Sequence, residues 1–116
     1  MFSYQTTVKM HDTDAAGRLF FAKQFFMFHD AYEAFIDTKG MGFATILRKK
    51  NFFLPIVHAQ ADYKAALFVG DRVTVIVKVG KFGNSSMTMH YELWRGKALV
   101  GSGETVHVAV SNKTGR

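Results

Sequence analysis

The run Asp12-Thr13-Asp14-Ala15-Ala16-Gly17 is the densest polar feature of the sequence, with two carboxylates, a hydroxyl and a turn glycine. Asp, Thr and Gly are ordinary turn formers, so a plain connecting loop is one reading. Calcium binding is excluded. Asp12, Asp14 and Gly17 mimic the first, third and sixth positions of a calcium loop, but Ala16 and Lys23 stand at the fifth and twelfth, where ligands are required. The chemical reading depends on the next element of the chain. A helix starting just after the loop offers unpaired backbone N–H groups at the positive end of its dipole. Such donors polarise a carbonyl and hold a developing oxyanion. A carboxylate a few residues upstream can attack that carbonyl or activate water. Together these are the parts that acyl transfer needs.

The histidines are His11, His29, His58, His90 and His107. None stands in a His-x-His or His-Glu-x-x-His pattern, so no metal site is expected. His29 falls on the apolar face of the long helix, four residues after Phe25 and three before Tyr32. It is either a satisfied core histidine or a polar handle in a largely apolar ligand pocket. His58, after Leu54-Pro55-Ile56-Val57, carries the same two readings. Gly-x-Ser-x-Gly, the phosphate-binding loop and the dinucleotide fingerprint are all missing.

The elements that must position these groups can be read from periodicity. Residues 2–10 alternate and predict a strand. From Ala22 to Asp37 the spacing changes to three and four, through Phe25, Phe28, Tyr32 and Phe35, which predicts a helix with a wide aromatic face. Gly40 and Gly42 end it, and Phe43, Ile46 and Leu47 suggest a short second helix. Strands are expected from Phe52 to Tyr63, with Pro55 marking an edge or a start, then through Val73–Val79, Met87–Trp94 and Leu99–Val110. Turns at Gly70-Asp71, Gly83-Asn84 and Arg95-Gly96-Lys97 are short enough to make the last strands antiparallel. The result is an α+β domain, with the sheet covering the aromatic helix.

Composition bounds the rest. The 116 residues, 48% hydrophobic with a single Pro, suit one globular domain over 1–116 rather than a disordered chain. A chain this short buries about two-thirds of its unfolded surface, which favours oligomers. No apolar run is long enough to span a membrane, and the first residues do not resemble a signal peptide. With no Cys, neither disulfides nor a thiol nucleophile are available, and a cytoplasmic setting is expected. The net charge of +6 is scattered, Arg48-Lys49-Lys50 being the longest cluster. It is either a solvated surface or an attraction for anionic ligands. Stacking on nucleic acid is disfavoured, because the Phe residues cluster on the helix where a core needs them.

The order strand, Asp-Thr-Asp-Ala-Ala-Gly, aromatic helix, then Gly70-Asp71 before a valine strand resembles the hotdog-fold acyl-CoA thioesterases of the 4-hydroxybenzoyl-CoA type. The resemblance runs from Tyr4 to Val110. Within that family, Phe20-Phe21, His29-Asp30-Ala31-Tyr32-Glu33 and Leu54-Pro55-Ile56-Val57-His58-Ala59 are most similar to hydrolases of 1,4-dihydroxy-2-naphthoyl-CoA, which serve menaquinone and phylloquinone synthesis.

The resemblance implies a five-stranded antiparallel sheet wrapped round one central helix. It also implies a homodimer or homotetramer with sites between subunits, an acyl-CoA substrate, no cofactor, and neither nucleic acid nor membrane as partner. It makes Asp14 the catalytic carboxylate and the Phe21 N–H the oxyanion donor, with Gly17 in the loop between them. His29 would meet the acyl ring, with His58, Phe25 and Tyr32 beside it. Lys81 and the Asn84-Ser85-Ser86 turn are candidates for CoA contact. In three places the sequence departs from the family: Arg18 stands at a usually apolar position, Lys64-Ala65-Ala66 lacks a common Pro, and the chain ends soon after its last strand. The alternatives are a thioesterase for another acyl group, 4-hydroxybenzoyl or fatty, and a non-catalytic module binding acyl groups or nucleic acid.

Overall fold

Alternating valines organise the molecule. Val73, Val75 and Val77 are all buried, and across the ladder so are Met89, Tyr91 and Leu93, giving two long strands one shared inner face. The structure, a computed structural model, describes residues 2–38, 52–83, 85–108 and 110–111. In chain order the elements are β1 (Phe2–Thr7), a single 3-10 turn (Met10–Asp12), α1 (Phe21–Thr38), β2 (Phe52–Phe53), β3 (Ile56–Tyr63), β4 (Arg72–Phe82), β5 (Ser86–Arg95), β6 (Ala98–Val108) and β7 (Val110–Ser111). Five strands form one antiparallel sheet in the order β1-β4-β5-β6-β3, and β2 pairs with β7 separately. The expected wrapped helix and antiparallel sheet are both present. No helix among the described residues is long and apolar enough to cross a membrane.

The helix buries Gln24, Met27, Phe28, Ala31, Tyr32 and Ile36, the spacing of one helical face. Phe28 lies flat on Tyr91, with ring centroids 4.7 Å apart. Two glycines of β6 allow this close approach. A Cβ on Gly101 would stand 2.7 Å from Gln24 Oε1, and one on Gly103 would stand 2.6 Å from the Phe28 ring.

Several boundaries differ from the sequence expectation, each for a local reason. β1 stops at Thr7 rather than residue 10, because the Val8 N–H turns to the Asp71 carbonyl and the Lys9 N–H to the Asp12 carboxylate. The helix runs one residue further at each end than expected. The strand expected from Phe52 is interrupted at Pro55, which has no N–H to give a ladder. The last strand divides likewise, β7 leaving β6 to pair with β2. The expected second helix lies outside the described residues.

Candidate active site

The Asp14 loop is held by its own side chain. Asp14 Oδ1 accepts the Ala16 N–H at 2.9 Å and the Arg18 N–H at 3.3 Å. The Asp14 carbonyl accepts the Gly17 N–H at 3.0 Å, and its own N–H donates to the Arg18 carbonyl at 2.8 Å. Gly17 takes a φ of +78°, a conformation that glycine adopts without strain. The Leu19 N–H then donates to the Leu67 carbonyl and the Phe20 N–H to the Asp12 carbonyl, which delivers the chain to the start of α1. There the Tyr63 hydroxyl donates to the Phe21 carbonyl at 2.8 Å.

Two groups are left unengaged by the described residues: Asp14 Oδ2, and the N–H of Phe21 at the first helical position. Asp14 and Phe21 line one cleft of about 460 Å³, with Arg18 and Lys64 at its rim and the buried Gln24 at its base. Gln24 donates its amide to the Asp62 carbonyl at 3.1 Å and so ties the helix to the end of β3. Asp12 has a different task. Its Oδ2 accepts the Lys9 N–H at 3.0 Å, closing the 3-10 turn.

A second cavity, of about 410 Å³, lies between α1 and the sheet. Its lining includes Phe25, His29, Asp30, Ala59, Tyr91 and Thr105, and most of its wall is apolar. His29 is exposed at this cavity, its ring tilted against Tyr32 at 5.8 Å. Tyr32 lies behind the wall, fully buried and stacked on His107 at 4.2 Å.

His58 is not brought to His29. It sits on the outer face of the sheet, its Nε2 3.4 Å from Gln60 Oε1 and 4.0 Å from Glu104, which also lies 3.6 Å from His90. The bulge between Ile56 and His58 sets this facing, because Ile56 pairs with inward His107 and His58 with Val106. Lys81, Ser85 and Ser86 stand at the β4–β5 turn, and Asn84 lies outside the described residues. That turn is at the opposite end of β4 from the Asp14 cleft, roughly 30 Å away at about 3.3 Å per strand residue.

The inner face of β6 carries polar groups that the sequence patterns above do not single out. There the Tyr91 hydroxyl lies 2.8 Å from Thr105 Oγ1, and Thr105 Oγ1 lies 2.8 Å from His107 Nε2, all buried. Burial pushes Tyr91 up to about 12, against a smaller lowering by its bond to Thr105, so it remains a phenol. Burial also raises Tyr32 to about 12, with Tyr91 adding to the effect. Burial lowers His107 from 6.5, a backbone hydrogen bond at Leu54 opposes this, and His29 adds a further lowering. The signal is present in the sequence as parity: Gly101, Gly103, Thr105 and His107 alternate with the residues of the other face. Among the described residues, no group of three His, Asp or Glu could hold a metal ion.

Residues 8–116 match the model of the thioesterase-like superfamily. A 1,4-dihydroxy-2-naphthoyl-CoA hydrolase of Rippkaea orientalis is 30% identical, over 98% of this chain and 85% of that protein. A 1,4-dihydroxy-2-naphthoyl-CoA thioesterase from Synechocystis superposes with a TM-score of 0.89 at 29% identity, covering 95% of this chain and 82% of its own. A gentisyl-coenzyme A thioesterase superposes with a TM-score of 0.90 at 25% identity, covering 97% and 90%. With the hotdog strand order, the central helix and a family match over nearly its whole length, this chain belongs to the thioesterase-like superfamily.

Proposed function

We propose that the protein hydrolyses an aryl-CoA thioester, with 1,4-dihydroxy-2-naphthoyl-CoA as its substrate, releasing the free acid and CoA. The observation that carries this reading is the pairing, in one cleft, of a carboxylate oxygen and a helix-start N–H that no described residue engages. The thioester carbonyl sits between them. Asp14 Oδ2 either takes a proton from the water that bonds to the acyl carbon, or bonds that carbon itself to give an anhydride that water cleaves. In both routes the C–S bond breaks and sulfur leaves with its electron pair, while the Phe21 N–H donates to the oxyanion. One such donor is typically worth about 10²–10³ in kcat.

The apolar chamber beside His29 suits an aromatic acyl group, and two of the relatives are thioesterases of 1,4-dihydroxy-2-naphthoyl-CoA and gentisyl-coenzyme A. Arg18 and Lys64 at the cleft rim suit the phosphates of CoA. The Lys81 turn reaches a cleft only if another subunit supplies it. A homo-oligomer with sites between subunits belongs to this reading. β3 is a sheet edge with Ile56, Val57 and Tyr63 exposed, and a second copy can cover it. A cytoplasmic setting and a place in menaquinone or phylloquinone synthesis belong to the reading as well.

The test is thiol release from a panel of acyl-CoA substrates, compared by kcat/KM. Dihydroxynaphthoyl-CoA should exceed hexanoyl-CoA by at least tenfold. Equal values would refute the aryl assignment, and no release from any thioester would refute hydrolysis.

A further inference from the structure

The cleft of Asp14 and Phe21 holds a third polar atom that no described residue engages, Gln24 Oε1. Gln24 stands three residues after Phe21, on the same side of α1. A helical side chain leans back toward the N-terminus, here toward the turn that carries the Phe21 N–H. Gln24 is only 2% exposed, deep burial for a primary amide. Two backbone carbonyls orient that amide, Asp62 O at 3.1 Å and, more loosely, Ser102 O at 3.5 Å from Nε2. A carbonyl only accepts, so both take the amino group and the oxygen is turned away from them. Gly101 makes room for this pose, since a Cβ there would stand 2.7 Å from Oε1 and 2.8 Å from Nε2. Oε1 is not sealed in the core, and the open space it meets is the cleft that Gln24 lines.

We infer that Gln24 is a further catalytic residue, whose Oε1 holds the hydrolytic water as the second acceptor beside Asp14 Oδ2. A water has two hydrogens to place, and the reacting thioester group has none to donate. With one hydrogen on Asp14 Oδ2 and the other on Gln24 Oε1, a lone pair of the water is left for the acyl carbon, whose oxygen the Phe21 N–H holds. The water oxygen bonds to that carbon and Asp14 takes one proton. The C–S bond then breaks, sulfur leaves with its electron pair, and Asp14 returns the proton to it. The second hydrogen stays on the new carboxyl group. Of the two routes open to Asp14, this is the one in which it acts as a base. A neutral amide suits the place, because a second carboxylate there would hold Asp14 in its protonated form. The inference rests on the thioester-hydrolase reading, whichever acyl group is carried.

The test offers the enzyme two nucleophiles. Wild type and Gln24→Met turn over the best acyl-CoA of the panel in the presence of hydroxylamine. Free acid and hydroxamate are measured together, with the uncatalysed reaction subtracted. Hydroxylamine is the stronger nucleophile and depends less on being held. Gln24→Met, which keeps the length of the side chain, should lower acid formation roughly tenfold or more and hydroxamate formation much less. The hydroxamate-to-acid ratio should therefore rise by about tenfold, with little change in KM. Tyr63→Phe is the structural control. It removes the other hydrogen bond between the end of β3 and the start of α1, and it should leave the ratio at its wild-type value.

Should Gln24→Met fail to fold, Gln24→Asn reads the same ratio, since its shorter side chain cannot reach both the Asp62 carbonyl and the water. The inference is overturned if acid and hydroxamate fall alike, as they would for a merely structural amide. It is overturned equally if KM rises while the ratio stays fixed, the mark of a contact to the pantetheine amide of CoA, or if hydroxylamine labels Asp14 during turnover, the mark of an anhydride. Failure of the underlying reading has a different signature: the wild type itself releases no thiol from any acyl-CoA, which refutes hydrolysis and the inference with it.

Discussion

Asp14→Asn separates the chemical role of the loop carboxylate from its structural one. In the native loop Oδ1 accepts two backbone N–H groups, from Ala16 and Arg18. Asparagine keeps an acceptor oxygen in that position and replaces only Oδ2, the atom assigned to the reaction. The loop should therefore hold, while a positioned base or nucleophile is lost, at a typical cost of about 10²–10⁴ in rate. Alanine removes both contacts. Each is worth about 0.5–1.5 kcal/mol, at the low end here because Asp14 is exposed. Asp14→Ala should thus lower Tm by several degrees besides abolishing activity. Asp12→Asn retains the oxygen that closes the 3-10 turn and should cost little. The assays are steady-state thiol release and thermal unfolding on all three variants. The reasoning is refuted if Asp14→Asn keeps most of its kcat, or if Asp12→Asn matches its loss.

Phe21→Pro removes the proposed oxyanion donor at the first helical position, where proline is tolerated, and should lower kcat by about 10²–10³; Phe21→Ala, which keeps the N–H, is the control. Gly103→Ala brings a methyl against the Phe28 ring and the Gln60 carbonyl, and denaturant titration should show a loss of about 1–3 kcal/mol. His107 has its folded pKa lowered, so the unfolded chain binds more protons below 6.5 and stability falls as pH drops from there toward the folded value; His107→Leu should flatten the Tm profile in that window. Light scattering at micromolar concentration should give a mass above that of one chain, and a monomer mass would remove the case for sites between subunits.

The parts of the site that are local in sequence are legible there, and the parts assembled across the sheet are not. Asp14, Gly17 and Phe21 lie within eight residues, so turn chemistry and a change of period are enough to set a carboxylate beside a helix start. The strand order of β4, β5 and β6 is legible from tight turns for the same reason. His58 is misplaced by sequence reasoning because its facing depends on the bulge beside it, and one extra residue sends a side chain to the other face. The Lys81 turn is a candidate CoA contact, and the length of β4 sets it far from the Asp14 cleft of its own chain, a separation that no local pattern announces.

The cavity beside His29, the proposed acyl chamber, shows the same limit more sharply. Its two walls come from residues about 80 positions apart in sequence, Phe25 and His29 on α1 and Thr105 on β6, and nothing local to either announces the other. What joins them is packing: Gly101 and Gly103 let Gln24 and Phe28 lie down on β6, and that approach fixes how the helix meets Thr105 and His107. The glycines therefore bear on recognition as well as stability. A methyl on Gly103 that lifts Phe28 also tilts the α1 wall away from the Thr105 hydroxyl. Gly103→Ala should then weaken the preference for dihydroxynaphthoyl-CoA over hexanoyl-CoA more than it slows turnover of hexanoyl-CoA, although it touches neither the proposed catalytic carboxylate nor the proposed oxyanion donor.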